Sequence, residues 1–237
     1  MPRSAGHNWV AQLAGGTSVL LSVRGVPSSR QNDSMRSPAK SRPRTKPPEQ
    51  RRDELMNAAE RLFLAHGVGA TTIEQITSRA EVAKGTFYLY FSSKEEVLAA
   101  LGQRFAQELL AGIRAAIAAK PNEDWKGKLA TWARAGVTGY MDSIRLHDIV
   151  FLGSHRPPTR KGLFDNIIID HLLALLQAGA DAGAWSIDDP RSTAVFLFSG
   201  LHGLLDDACN KQNRVNRSRL ARQLEQLCIQ AVGLPPS

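Results

Sequence analysis

Lys84, Gly85, Thr86, Tyr88 and Tyr90 fall within one short stretch and combine a cation, a position without a side chain and three hydroxyls. That set suits contact with a polyanionic duplex. The lysine supplies charge, the threonine donates a hydrogen bond or touches a thymine methyl, the tyrosines reach phosphate oxygens, and the glycine lets backbone approach closely. Residues for bond-making chemistry are missing by comparison. No serine in a glycine elbow, Walker loop, GxGxxG or paired-cysteine motif occurs. Asp142, His147 and His155 do not have HExxH or ExxH spacing, so neither a metal nor another cofactor is expected. The carboxylates are scattered along helix faces, where ion pairs are their ordinary use. An enzyme is not expected.

Two short helices position the candidate set. Thr71 and Thr72 open the first, with Glu74 and Gln75 as capping-box partners and Ile73, Ile76 and Ala80 as its buried face. After Glu81 and Val82, the second runs from Ala83 to about Tyr90. A pair of short helices with so brief a break is a helix-turn-helix, in which one helix braces and the other enters the major groove. Upstream, Leu55, Ala58, Ala59, Leu62 and Phe63 form one stripe of a helix that stops near Gly67. Downstream, Ser93 with Glu96 caps a long helix striped by Leu98, Leu101, Phe105, Leu109, Ile113 and Ile117 and ended by Pro121.

Five further helices are read beyond Pro121, and no alternating run competes as strand. The expected fold is all-α with about nine helices. Residues 49–97 form a three-helix DNA-binding domain and residues 98–237 a larger helical domain. Residues 1–48 form a disordered basic arm. Met35 is read as the native start, with residues 1–34 as upstream sequence.

Charge is distributed unevenly. The chain carries +8 overall, and residues 1–52 hold 10 Lys/Arg against 2 Asp/Glu, so the excess lies in the arm. Residues 53–100 hold 4 basic against 7 acidic groups. Most DNA affinity is electrostatic, so a domain of that sign needs the arm, and Arg42, Arg44 and Lys46 are read as its DNA contacts. No segment approaches the ~20 apolar residues of a membrane span. Two cysteines, Cys209 and Cys228, make no disulfide framework, and a cytoplasmic location is expected.

The run Ala58-Ala59, Leu62-Phe63, Gly67, Thr71-Thr72-Ile73 and Ile76, continued by Ala80 to Phe91 and then Lys94-Glu95 and Leu98, resembles the TetR/AcrR family of bacterial transcriptional regulators. The resemblance covers about residues 51–100. It implies that Lys84, Gly85, Thr86, Tyr88, Tyr90 and Lys94 contact operator DNA, with Thr72 on phosphate and Phe87 and Phe91 in the core. Two positions depart from the family pattern: Glu81, where glycine is frequent, and Ala83, where serine is frequent and would cap the recognition helix.

The resemblance further implies a homodimer and a small-molecule inducer, with residues 98–237 as the ligand-binding and dimerisation domain. Gly200 and Gly203 would let two helices approach closely, and Leu220, Leu224 and Leu227 would complete a four-helix dimer interface. Trp132, Tyr140, His147, Phe151, Phe164, Ile168, His171 and Trp185 lie on or near apolar faces of the middle helices, the make-up of a small-molecule site. The expected function is that of a ligand-responsive regulator, a repressor that binds a palindromic operator as a dimer and is released by its inducer. The rival reading is a helical ligand-binding protein without DNA-binding activity, against which the intact Lys84-Gly85-Thr86 and Tyr88/Tyr90 set argues.

Overall fold

The computed structural model describes residues 47–152, 166–211 and 215–234. Arg42, Arg44, Lys46 and Phe164 lie outside them. The described residues are helical and contain no strand. Helix α1 spans Pro48–His66, α2 Ile73–Arg79, α3 Lys84–Phe87 and α4 Lys94–Ala118. Helix α5 spans Trp125–Asp142, and α6 Ile144–His147 runs into a π turn at Asp148–Leu152. Helix α7 covers Ile167–Asp181, α8 Pro190–Lys211 and α9 Arg217–Ala231.

The ends of these helices follow from the residues at their termini. Helix α1 starts with proline, whose missing N–H is no loss in the first turn, and stops at Gly67, whose φ of 82° disfavours other residues. The capping box of α2 uses Thr72 and Gln75: Gln75 N–H donates to Thr72 Oγ1 at 3.2 Å, and Thr72 N–H donates to Gln75 Oε1 at 2.8 Å. Thr71 instead donates its hydroxyl to Gly67 O at 2.8 Å. At α4, Ser93 Oγ accepts from Glu96 N–H. The Glu96 carboxylate turns to Ser92, accepting from its N–H at 2.6 Å and its hydroxyl at 2.7 Å. Those two bonds hold Glu96 below the usual carboxylate range.

Two apolar cores share α4. Leu55, Ala59, Phe63, Ile76, Phe87, Phe91 and Leu101 fill the first, around α1 to α3. Ile113, Leu129, Trp132, Val137, Leu172 and Leu205 belong to the second, larger core of α4, α5 and α7 to α9. Helix α4 is therefore one rigid beam with its N-terminal half in one core and its C-terminal half in the other. The α6 segment is a second tie. Arg145 donates to Leu64 O of α1 at 3.0 Å, and Ile149 and Val150 pack against the smaller core. Val150 fits where α4 has glycine: a Cβ at Gly102 would stand 2.8 Å from Val150 Cγ1.

The C-terminal helices differ from expectation in which side faces inward. Leu220 and Leu224 are buried in the chain's own core, because α9 lays its apolar stripe on α5. Leu227, by contrast, is 42% exposed. Gly200 and Gly203 are exposed, with nothing within 4 Å of where a Cβ would be. Phe196, one turn before Gly200 on α8, is 69% exposed. The outward apolar face is thus Phe196, Gly200, Gly203 and Leu227, without Leu220 and Leu224.

Candidate nucleic-acid interface and ligand cavity

The second short helix is only Lys84–Phe87, and Tyr88 to Tyr90 follow as a turn rather than continuing the helix. Phe87 anchors it. Its side chain is fully buried, a contribution of about 1.5–3 kcal/mol for a side chain of this size, and it meets Tyr88 and Phe91 ring to ring. With Phe87 inward, its neighbours face out: Lys84 and Gly85 are exposed, Tyr88 is 52% exposed and Leu89 78%. Thr86 and Tyr90 are half-buried, and Tyr90 packs against the smaller core. Leu89 projects although an isolated leucine among aromatics carries the pattern of core.

Gly85 has nothing within 4 Å of a Cβ position and an ordinary φ. Its lack of a side chain therefore serves no internal contact. Ala83 supplies no side-chain cap to α3. Glu81, in the turn between the two helices, has a φ of 55°, a region that costs a non-glycine residue about 1–2 kcal/mol.

Two candidate cations are engaged within the domain. Lys84 Nζ pairs with Glu74 Oε1, which lowers the Glu74 pKa and raises that of Lys84. Lys94 donates to three carbonyls, Thr71 O at 2.6 Å, Val68 O at 2.9 Å and Gly69 O at 3.4 Å. Lys94 thus fixes the loop ahead of α2, where the resemblance placed it on DNA. Thr72 is exposed at the N-terminus of α2, its oxygen capping the helix while its hydroxyl donates to the Glu74 carboxylate.

The middle helices enclose a small cavity of about 20 Å³. Trp132, Tyr140 and Ile168 line it, together with Phe105, Leu109, Phe198, Leu201 and His202 from α4 and α8. These last five fit the apolar stripes of their helices and carry no sequence signal separating cavity from core. His147 lies beside the cavity, its ring 4.4 Å from that of Tyr140 and 5.0 Å from that of Phe151. Trp185 is elsewhere: its ring covers Gly179 and its N–H donates to Leu176 O at 2.8 Å, closing the end of α7 as core. His171 is half-buried, with Nδ1 unpaired, and burial followed by the Arg114 charge lowers its pKa.

Tyr140 donates to Asp206 Oδ1 at 2.5 Å. Burial and that carboxylate hold its phenol well above the ordinary range. His147 and His202 stack at 5.6 Å, and burial lowers both pKa values. On the outer side of Leu109 and Ile113 runs an open groove of about 470 Å³ between α4 and α5. Cys228 is buried and its thiol is pushed up to about 12, which makes it a core residue rather than a reactive one. No group of three or more metal-ligating side chains occurs among the described residues, and no helix there is long and apolar enough to cross a membrane.

A family model described as "Bacterial regulatory proteins, tetR family" matches residues 55–101. The HTH-type transcriptional activator FasR of Mycolicibacterium smegmatis is 35% identical over 102 residues, 43% of each chain. The alignment therefore spans less than half the length of that relative. Among solved structures, the fatty acid degradation regulator FadR from Bacillus halodurans superposes with a TM-score of 0.64 at 24% identity, over 78% of this chain and 97% of that one. The SmeT–triclosan complex gives 0.60 at 24% identity, over 77% and 91%. SmeT is described as the repressor of a Stenotrophomonas maltophilia multidrug efflux pump. Residues 55–101 thus match the tetR family of bacterial regulatory proteins, and the all-helical fold is that of these solved structures.

Proposed function

We propose that the protein is a homodimeric, ligand-responsive transcriptional regulator that represses by occupying a palindromic operator and is released by a small-molecule inducer. The observation that carries this reading is the orientation of α3. Phe87 is fully buried while Lys84, Gly85, Tyr88 and Leu89 project outward, so the segment is rigidly held and its polar and apolar contacts remain available to a groove. Lys84 and Tyr88 serve the phosphates, Thr86 and Leu89 the base edges and thymine methyls, and Gly85 permits the approach. The basic arm, with Arg42, Arg44 and Lys46, supplies the charge that residues 53–100 lack.

Two copies meet through Phe196, Gly200, Gly203 and Leu227. A dimer on B-DNA needs its two reading heads about one helical turn apart. A ligand that parts α4, α5 and α8 around Trp132 and Tyr140 moves both ties to the DNA-binding domain, α4 itself and the α6 segment, and so changes that spacing. The bound triclosan of the similarly folded SmeT supports an apolar ligand. Repression is the direction SmeT's description gives, whereas FasR is named an activator.

A gel shift with DNA from upstream of the protein's own coding region tests the reading. A retarded band, lost on joint alanine substitution of Lys84, Thr86 and Tyr88, supports it. Unchanged affinity in that variant removes it. A reporter driven by the same DNA separates repression from activation.

A further inference from the structure

We infer that the buried cavity takes an apolar organic cation carrying one hydrogen-bond acceptor. This rests on the reading of that cavity as a small-molecule site, and it names the chemistry. Four aromatic rings, those of Phe105, Trp132, Tyr140 and Phe198, line the space together with His202. Among the described residues no lysine or arginine lines it. The Asp206 carboxylate acts on Tyr140, His147 and His202, and that of Asp148 on Tyr140 and His147, with the His202 imidazole opposing them at His147 and Cys209 adding to them at Tyr140. Asp206 is hydrogen-bonded to the Tyr140 hydroxyl. Aromatic faces backed by carboxylates attract a desolvated cation and repel an anion.

The second feature is Trp132. It is 1% exposed, and its indole N–H has no hydrogen-bond partner. A buried donor left unpaired is costly, and an acceptor on the ligand would satisfy it. Trp132 and Tyr140 are two turns apart on α5, about 12 Å, so the acceptor and the cationic head occupy opposite ends. The present space, about 20 Å³, has room for one water. Among the described residues Leu109 and Ile113 alone are shared by the cavity and the outer groove. Leu109 also leans across Gly139, where a Cβ would collide with it. Its rotation joins the two spaces and admits a ligand.

Isothermal titration of the full chain with three probes separates charge from shape. They are benzoylcholine, its uncharged isostere 3,3-dimethylbutyl benzoate, and the carboxylate 4-benzoylbutyrate. Benzoylcholine is expected to bind about tenfold more tightly than the uncharged ester, with the carboxylate weakest. In Asp206→Asn the cation's advantage should shrink to about threefold or less, while affinity for the ester stays within about twofold, which also reports an intact fold. Equal affinities for cation and ester, or a preference for the carboxylate, overturn the cationic assignment and leave the cavity as a ligand site. Failure of all three probes to bind overturns this inference together with the ligand-site reading, while the gel shift still decides DNA binding.

Discussion

Lys84 Nζ lies 2.5 Å from Glu74 Oε1, so the cation of α3 is tied to a carboxylate of α2. Both side chains are more than half exposed, and such surface pairs add little to stability. In the proposed DNA complex Glu74 would compete with phosphate for the ammonium. Glu74→Gln is expected to leave the melting temperature unchanged and to raise affinity for DNA several-fold at low salt. Lys84→Ala should weaken binding and reduce the slope of log affinity on log salt by about 0.9, one phosphate contact. Fluorescence anisotropy across a salt series measures both, and an unchanged slope in Lys84→Ala rules out a phosphate contact.

Gly85 separates fold from function in one substitution. A Cβ there meets nothing within the chain, and alanine is the better helix former by up to about 1 kcal/mol. Gly85→Ala should therefore be as stable as the parent or slightly more so, yet bind operator at least about tenfold more weakly because the methyl holds the backbone off the groove. Thermal melts and gel shifts on the same sample decide it. Full affinity in the alanine variant would show that nothing approaches this face closely.

Glu81 occupies a turn with a φ of 55°, where a non-glycine residue is strained by about 1–2 kcal/mol. Glycine relieves that strain but brings back roughly 0.5–1 kcal/mol of unfolded-chain entropy. Glu81→Gly is expected to stabilise the protein by a few tenths to about 1 kcal/mol, a rise of roughly 1–4 °C at this chain length. It should also strengthen DNA binding by removing an acid beside the phosphates. A lower melting temperature would mean that the glutamate side chain does something for the turn that its backbone does not reveal.

Glu81 also shows what the sequence made legible and what it did not. Comparison with the family pattern marks position 81 as a departure, but only the backbone angle explains why glycine belongs there. Local signals were readable in the same way: the Thr72–Gln75 box, the Gly67 stop and the Phe87 anchor each follow from a residue and its near neighbours. Features that depend on distant partners were not. Lys94 reads as a surface cation until the carbonyls of residues 68, 69 and 71 are brought beside it. Leu220 and Leu224 read as an outward stripe until α5 covers them. Phe105, Phe198 and His202 carry the periodicity of ordinary core, and only the convergence of α4 and α8 makes them a cavity wall.

Lys94 is expected to matter for stability more than for DNA. Its ammonium satisfies three carbonyls of the loop ahead of α2, and charge-assisted hydrogen bonds are worth about 1.5–3 kcal/mol. Lys94→Met keeps the stem and removes the donors. It should lower the denaturation midpoint and raise amide exchange across residues 67–72, while the salt dependence of DNA binding keeps its slope. A slope reduced by about 0.9 with unchanged stability would return Lys94 to the phosphate backbone.

Acid should destabilise the larger core through its imidazoles. Burial lowers the pKa values of His147, His171 and His202 below 6.5 in the folded chain. Asp148 and Asp206, which face His147, oppose the shift without cancelling it, and His202 adds to it. The folded state therefore binds fewer protons than the unfolded one. Stability is fully present above about pH 6.5 and declines as pH falls, by up to about 1.4 kcal/mol per pH unit for each imidazole that must charge on unfolding. Urea midpoints between pH 7.5 and 5.5 measure the slope. His147→Phe should flatten it, since a phenyl ring keeps the aromatic contacts with Phe105, Tyr140 and Phe151 and has no proton to gain. A parent protein whose midpoint holds steady or rises toward pH 5.5 would show that His147 is charged in the folded state, bridging Asp148 across their 3.5 Å separation.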